Sequence, residues 1–172
     1  MKNRTISDFL NTDLRAFQLA DINRSIPDLM DGLKPSQRKI LYTCLKEGIV
    51  KSSREKVPAM AGSVQKTTAY HHGEVSLTNS IVDLSQNFVG SNNINLLTGD
   101  GMFGTRNMGG SDSSAPRYLH AYLSNITDKI FLKDDNPILH YLKDDGIFIE
   151  PKRFYPIIPM SLVNGVNGVA TG

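Results

Sequence analysis

Apolar residues recur at helical spacing through the first half of the chain. Phe9, Leu10, Leu14 and Phe17, with neighbouring alanines, make one face of a helix predicted from a Ser7 cap to about Ile22. Pro27 and Gly32 break that pattern. Pro35 suits the first turn of the next helix, which runs to about Glu47 and would bury Ile40, Leu41, Cys44 and Leu45. Gly48 stands where a C-terminal glycine ends a helix. A third helix is predicted over Val57 to about Thr67. A fourth runs from near Gly73 to Asn87, with Leu77, Ile81 and Leu84 on one side.

Past Phe88 the period changes. Glycines become frequent and apolar runs shorten, and "NINLL" (93–97) and "YLHAYL" (118–123) read as strands flanking a Gly/Ser-rich loop. Two short helical stretches follow Asn125, and then Pro151, Pro156 and Pro159 make regular structure unfavourable. Three helices followed by strands and a long loop form a winged-helix pattern, in which the helix starting near Gly73 would face DNA and the loop would act as a wing. The expected architecture is therefore α+β. A winged-helix domain covers residues 1–150, and residues 151–172 begin a further domain within which the chain is expected to stop.

Composition narrows the class. The chain has 172 residues, 40% of them hydrophobic and 21% charged, enough apolar material for an ordinary globular core. No run approaches the roughly 18 apolar residues of a membrane span, and no apolar signal segment follows Met1, so no membrane partner is expected. The single cysteine, Cys44, excludes an internal disulfide and reads as a small buried hydrophobe. Net charge is only +2, but residues 15–56 hold nine Lys/Arg against five acids, whereas residues 119–172 hold five against six. That asymmetry suits either a polyanion-facing side or a solvated helix face.

Candidate chemistry lies in three stretches. "GTRNMGGSDSSAPRY" (104–118) ends by placing Arg117 beside Tyr118 after Pro116. A phenol, with a pKa near 10, is a weak nucleophile at neutral pH unless positive charge stabilises its anion, and a guanidinium supplies that charge permanently. In a strand the two side chains would point apart; at a bend they could converge on one phosphate. The plainer alternative is a surface arginine beside a half-buried strand tyrosine. "AYHHGEVSL" (69–77) sets Tyr70, His72 and Ser76 around a helix start, where free N–H groups favour an anion. A plain helix cap is the rival there. Metal ligation by His71 and His72 is disfavoured, since no carboxylate or thiolate pattern accompanies them. "NRSIPDLMDGLKPSQRK" (23–39) collects Arg24, Lys34, Arg38 and Lys39, a phosphate-binding cluster or a solvated face. The pairs Asp134–Asp135 and Asp144–Asp145 read as exposed turn acids rather than magnesium ligands. No Walker A or dinucleotide fingerprint is present.

Taken together, "RSIPDLMDGLKPSQRKILY", "TAYHHGEVSL", "QNFVGSNNINLL", "GMFGTRNMGGSDSSAPRY" and "YPIIPMSLVNGVNGVATG" resemble the breakage-reunion region of type IIA DNA topoisomerases. The eukaryotic topoisomerase II branch, with its viral relatives, is nearer than the bacterial gyrase branch. The resemblance spans about Ser7 to Gly172. It implies a winged-helix domain followed by the start of an α/β tower domain.

By that resemblance Tyr118 is the nucleophile that attacks a backbone phosphorus, expels a 3′-hydroxyl and stays joined to the DNA 5′ end. Arg117, Arg24 and His72 would surround the same phosphate, the loop before them being mobile. Lys34, Tyr70 and Ser76 would contact DNA. Val169, where many relatives carry isoleucine, would wedge between base pairs at a cost of a few kcal/mol of unstacking. The resemblance also implies double-stranded DNA as partner and, in the full-length enzyme, a homodimer. Mg2+ would be held by a TOPRIM domain and ATP by an ATPase domain, neither of whose signatures lies in this chain. Residence would be nuclear, or at the viral replication site for a viral enzyme. By itself the chain is expected to bind DNA weakly and hardly cleave it. The alternative is a non-enzymatic winged-helix DNA-binding module, which leaves Arg117–Tyr118 and His72 unexplained. A metal-dependent nuclease ranks last for want of an acidic cluster.

Overall fold

A computed structural model describes residues 4–171. The chain begins with one long helical run. Helix α1, Ile6–Phe9, passes through a wider π-helical segment, Leu10–Leu14, into α2, Arg15–Ser25. Its cap is Thr5 and not the expected Ser7: the Thr5 hydroxyl accepts from Asp8 N at 3.1 Å, and the Asp8 carboxylate accepts in return from Thr5 N. No residue of this run is buried, and Phe9, Leu10 and Phe17 are about half exposed or more.

The core is built by three helices that follow the predicted spacing. Helix α3, Pro35–Glu47, carries proline in its first turn and ends at Gly48 in the left-handed conformation, φ 67°. It buries Ile40, Leu41 and Cys44, while Leu45 is only partly covered. Helix α4, Val57–Thr68, contributes Val57, Met60, Ala61 and Val64, and α5, Glu74–Ser85, contributes Leu77, Ile81 and Leu84. Each large aliphatic side chain buried this way stabilises the fold by about 1.5–3 kcal/mol.

These helices pack against a three-stranded antiparallel sheet. Its order is β1 (Glu55–Lys56), β3 (His120–Leu123), β2 (Leu97–Asp100). Strand β2 starts where "NINLL" ends. Upstream of it, asparagine side chains take over the work of a ladder: Asn92 Nδ2 donates to Asp83 O and Gln86 O, and Asn95 Nδ2 to Leu97 O. The result is mixed helix and sheet, with residues 101–119 looping out between β2 and β3.

A second sheet has no counterpart in the sequence reading. After α6, Thr127–Ile130, and a 3₁₀ stretch, Lys133–Ile138, comes a hairpin of β4, Tyr141–Asp144, and β5, Ile147–Pro151. Asp145 (φ 46°) and Gly146 (φ 81°) turn it. Strand β5 crosses the expected boundary at 150/151. Beyond it, Phe154 and Met160, the latter opening the short helix α7, Met160–Val163, lie in the same core as α3–α5.

Candidate functional site

Tyr118 sits at the end of a loop whose two stems are fixed by pairing. Asp100 lies opposite His120 and Gly99 opposite Ala121. Between the stems the chain folds on itself. Ser114 N donates to Met102 O at 2.9 Å, and Asp112 accepts from Thr105 N at 2.7 Å and Thr105 Oγ1 at 2.8 Å. The hydrogen bond from the Thr105 backbone, then the one from its hydroxyl, holds the Asp112 carboxyl below its ordinary range. Gly104 (φ +96°) lies so close to Gly110 that an added Cβ would be 2.6 Å from its backbone. Gln86 Nε2 reaches in from the end of α5 to Phe103 O at 2.9 Å. The loop that the resemblance implies is mobile therefore has internal bonds of its own.

Pro116–Tyr118 forms one 3₁₀ turn instead of the first part of a strand. Its exit is pinned, because Leu119 is fully buried and its carbonyl accepts from Val57 N, the first residue of α4, at 2.9 Å. The Tyr118 ring projects outward, 66% exposed, with the Arg117 guanidinium carbon 5.0 Å from its centroid. Of the two geometries open to the sequence, the bend is the one adopted, and it brings phenol and guanidinium together.

A second group lies in the turn between α4 and α5. Ala69 takes the left-handed conformation at φ 47°, a position usually given to glycine, and reverses the chain. Tyr70 and His72 then meet edge to face, ring centroids 5.4 Å apart, just before Gly73 caps α5. His71 is held by another partner, its Nε2 lying 2.8 Å from Asp144 Oδ2 on the β4–β5 hairpin. Ser76 is exposed in the first turn of α5.

The basic stretch splits in two. Arg38, expected as part of a phosphate cluster, is buried and bonded to the fully buried Asp31 through Nε at 2.7 Å and Nη2 at 2.9 Å. Lys39 donates to Thr68 O at 2.7 Å and lies 2.9 Å from the Glu150 carboxylate. Neither is free for a polyanion, because each neutralises an acid in the core. Lys34 and Arg24 do remain outward. Lys34 lines a cleft with Pro27, Gln37, Ser91 and Asn167. Its ammonium partly offsets the burial that raises the Asp83 carboxyl pKa. Arg24 is 60% exposed in the last turn of α2 and donates to Asp21 at 2.9 Å. The chain end returns to this region: Gly168 packs on Ser25, Thr171 bonds Asp21, and between them Val169 is 87% exposed.

Three groups therefore form: Arg117 with Tyr118, Tyr70 with His72, and Arg24 and Lys34 beside the segment carrying Val169. The residues expected around one phosphate are thus carried by three different parts of the fold. Tyr118 adjoins the start of α4 and His72 follows its end, and that helix of 12 residues is about 18 Å long. Asp144, expected as an exposed turn acid, ends β4 and pairs with His71, 73 residues away, and the link between Asp21 and Thr171 spans 150 residues that no sequence pattern connects.

The family model for the A-type subunit of DNA gyrase/topoisomerase IV matches residues 24–172. The chain is 50% identical over 172 residues to DNA topoisomerase 2 of Saccharomyces cerevisiae, covering 100% of this chain and 12% of that protein. It is 52% identical over 172 residues to DNA topoisomerase 2 of Drosophila melanogaster, again covering 12% of the relative. It thus spans about an eighth of these curated relatives. Among solved structures, the Plasmodium falciparum topoisomerase II DNA-binding, cleavage and re-ligation domain superposes with a TM-score of 0.89 at 47% identity, covering 95% of this chain and 22% of that one.

Proposed function

The chain belongs to the DNA gyrase/topoisomerase IV family, and we propose that it is the DNA breakage-reunion segment of a type II DNA topoisomerase. The observation that carries this reading is an exposed phenol on a pinned backbone with a guanidinium 5.0 Å from its ring. Tyr118 Oη loses its proton and attacks a backbone phosphorus. The 3′-oxygen leaves and takes up a proton, and the DNA 5′ end stays esterified to the tyrosine. Religation runs the same exchange backwards. Arg117 supplies fixed positive charge where the phosphoryl oxygens gain negative charge, which is the dominant catalytic need in such transfers.

Arg24 and His72 serve the same phosphate in this reading, with Lys34, Tyr70 and Ser76 on neighbouring backbone and Val169 as the wedge. The helix separating Tyr118 from His72 supports a site completed across two copies, each giving Tyr118 and Arg117 to the other's His72. A homodimer acting on both strands of duplex DNA belongs to this reading. Magnesium and ATP belong to the proposed whole enzyme, on TOPRIM and ATPase domains. Among the described residues no three His, Cys, Asp or Glu side chains form a metal-holding group. The steps assigned here do not pass through the ion. Residence is proposed as nuclear, or at a viral replication site.

The test is covalent trapping. Detergent added to the complete enzyme turning over on supercoiled DNA should leave protein attached to 5′ ends. Tyr118→Phe should abolish the attachment while DNA binding persists. Attachment that survives this change removes Tyr118 as nucleophile. Salt-sensitive binding with no attachment from the wild type would instead indicate a DNA-binding module without catalysis.

A further inference from the structure

Asp21 has no part in the chemistry above, yet its carboxylate ties together two regions 150 residues apart in sequence. One oxygen accepts from Arg24 Nη2 at 2.9 Å and Ser25 Oγ at 3.1 Å. The other accepts from Thr171 N at 3.0 Å and Thr171 Oγ1 at 2.8 Å. These hydrogen bonds, the Thr171 backbone one foremost, hold the Asp21 carboxyl far below its ordinary range, so it is ionised at any physiological pH.

Close packing adds to the tie. Gly168 lies against the end of α2 so tightly that an added Cβ would sit 2.5 Å from Ser25 O. Val169 is held between these two fixed points and still turns outward, 87% exposed. Arg24 gives one N–H to Asp21, which leaves further donors of its guanidinium fork for another anion.

We propose that Asp21 is a positioning residue that fixes the spacing between Arg24 and Val169. Insertion of the apolar wedge and capture of the adjoining phosphate then occur as one event. The proposal rests on the reading above, in which Val169 enters the base stack and Arg24 binds phosphate. It has an unusual consequence. On charge alone, an acid beside a phosphate site weakens DNA binding, so its removal should tighten binding or leave it unchanged. As a positioning group, its removal should reduce bending.

The experiment measures both quantities on the intact protein, using an end-labelled duplex of about 30 base pairs. Energy transfer between the ends reports the bend and titration reports affinity. In Asp21→Ala the bending equilibrium should fall about fivefold, the worth of one net hydrogen bond, with affinity equal or higher. Thr171→Val removes one of the bonds from the opposite side and should bend less than wild type. It should add nothing when combined with Asp21→Ala. If Asp21→Ala does not fold, Thr171→Val alone carries the test. The proposal is overturned if Asp21→Ala bends DNA as wild type does while Val169→Ala does not. Parallel loss of affinity and bending, or additive effects of the two substitutions, also overturns it. A wild type that leaves DNA straight, or Val169→Ala bending normally, overturns the wedge reading and this proposal with it.

Discussion

Replacing Asp31 with alanine should be among the most damaging single changes to this fold. Its carboxylate, fully buried, accepts from Arg38 Nε at 2.7 Å, Arg38 Nη2 at 2.9 Å, Leu33 N at 3.0 Å and Phe154 N at 2.9 Å. One side chain thus joins the turn before α3, the helix itself and the chain that follows β5. Asp31→Ala leaves the Arg38 side chain, 7% exposed, with the Leu33 carbonyl as its remaining partner among the described residues. Breaking a buried pair from one side costs about 3–5 kcal/mol, and the orphaned N–H groups of Leu33 and Phe154 add to that. A loss of about 4–6 kcal/mol is expected, a large share of the 5–15 kcal/mol that typically stabilises a domain.

Urea unfolding followed by circular dichroism measures it. With a slope of roughly 2 kcal/mol per molar, the midpoint should fall by about 2 M or more. The control is Arg38→Met, which removes the stranded charge and keeps most of the volume. Asp31→Ala combined with Arg38→Met should be no less stable than Asp31→Ala alone, since the cost lies in the unpaired charge. A loss below 1 kcal/mol, or a double variant whose loss equals the sum of the two singles, would refute this account of the pair.

The division of the basic stretch is testable through salt. Lys34→Ala should reduce the slope of log affinity for duplex DNA against log salt by about one, while Arg38→Met leaves the slope unchanged. Glu55 has one carboxylate oxygen buried without a hydrogen-bond partner, and desolvation, followed by the charge of Glu47, raises its pKa. A raised acid contributes stability below its unfolded pKa and loses it as pH rises through the folded value. Glu55→Gln should therefore stabilise at pH 7 and lose that advantage near pH 3; equal effects at both would refute the assignment. Gly104→Ala places a Cβ against Gly110 at a positive φ, so hydrogen exchange at Gly110 and Ser114 should rise at least tenfold while α3–α5 amides keep their protection. Unchanged exchange in the loop would show that the Gly104–Gly110 contact does not hold it.

Helices α3, α4 and α5 could be read from the residues alone. Ile40, Leu41 and Cys44, or Leu77, Ile81 and Leu84, form one stripe at helical period whatever they pack against, and Pro35 and Gly48 mark ends by local backbone chemistry. The juxtaposition of Arg117 and Tyr118 was legible for the same reason, as neighbours in the chain. The β4–β5 hairpin was read only as far as its turn acids: Asp145–Gly146 is a favoured two-residue hairpin turn, but Tyr141–Asp144 alternates too weakly to mark a strand before it.

Which cations face outward is settled by the packed fold and by nothing shorter in range. Arg38 and Lys34 are the same in charge and four residues apart, yet Arg38 meets a buried acid and Lys34 does not. That difference depends on how the turn before α3 folds Asp31 back onto Arg38, as the pairing of Lys39 depends on Glu150 arriving from 111 residues away. Local patterns fix elements because their causes lie within a few residues. The surface left for DNA is fixed by partners whose separation along the chain no period records.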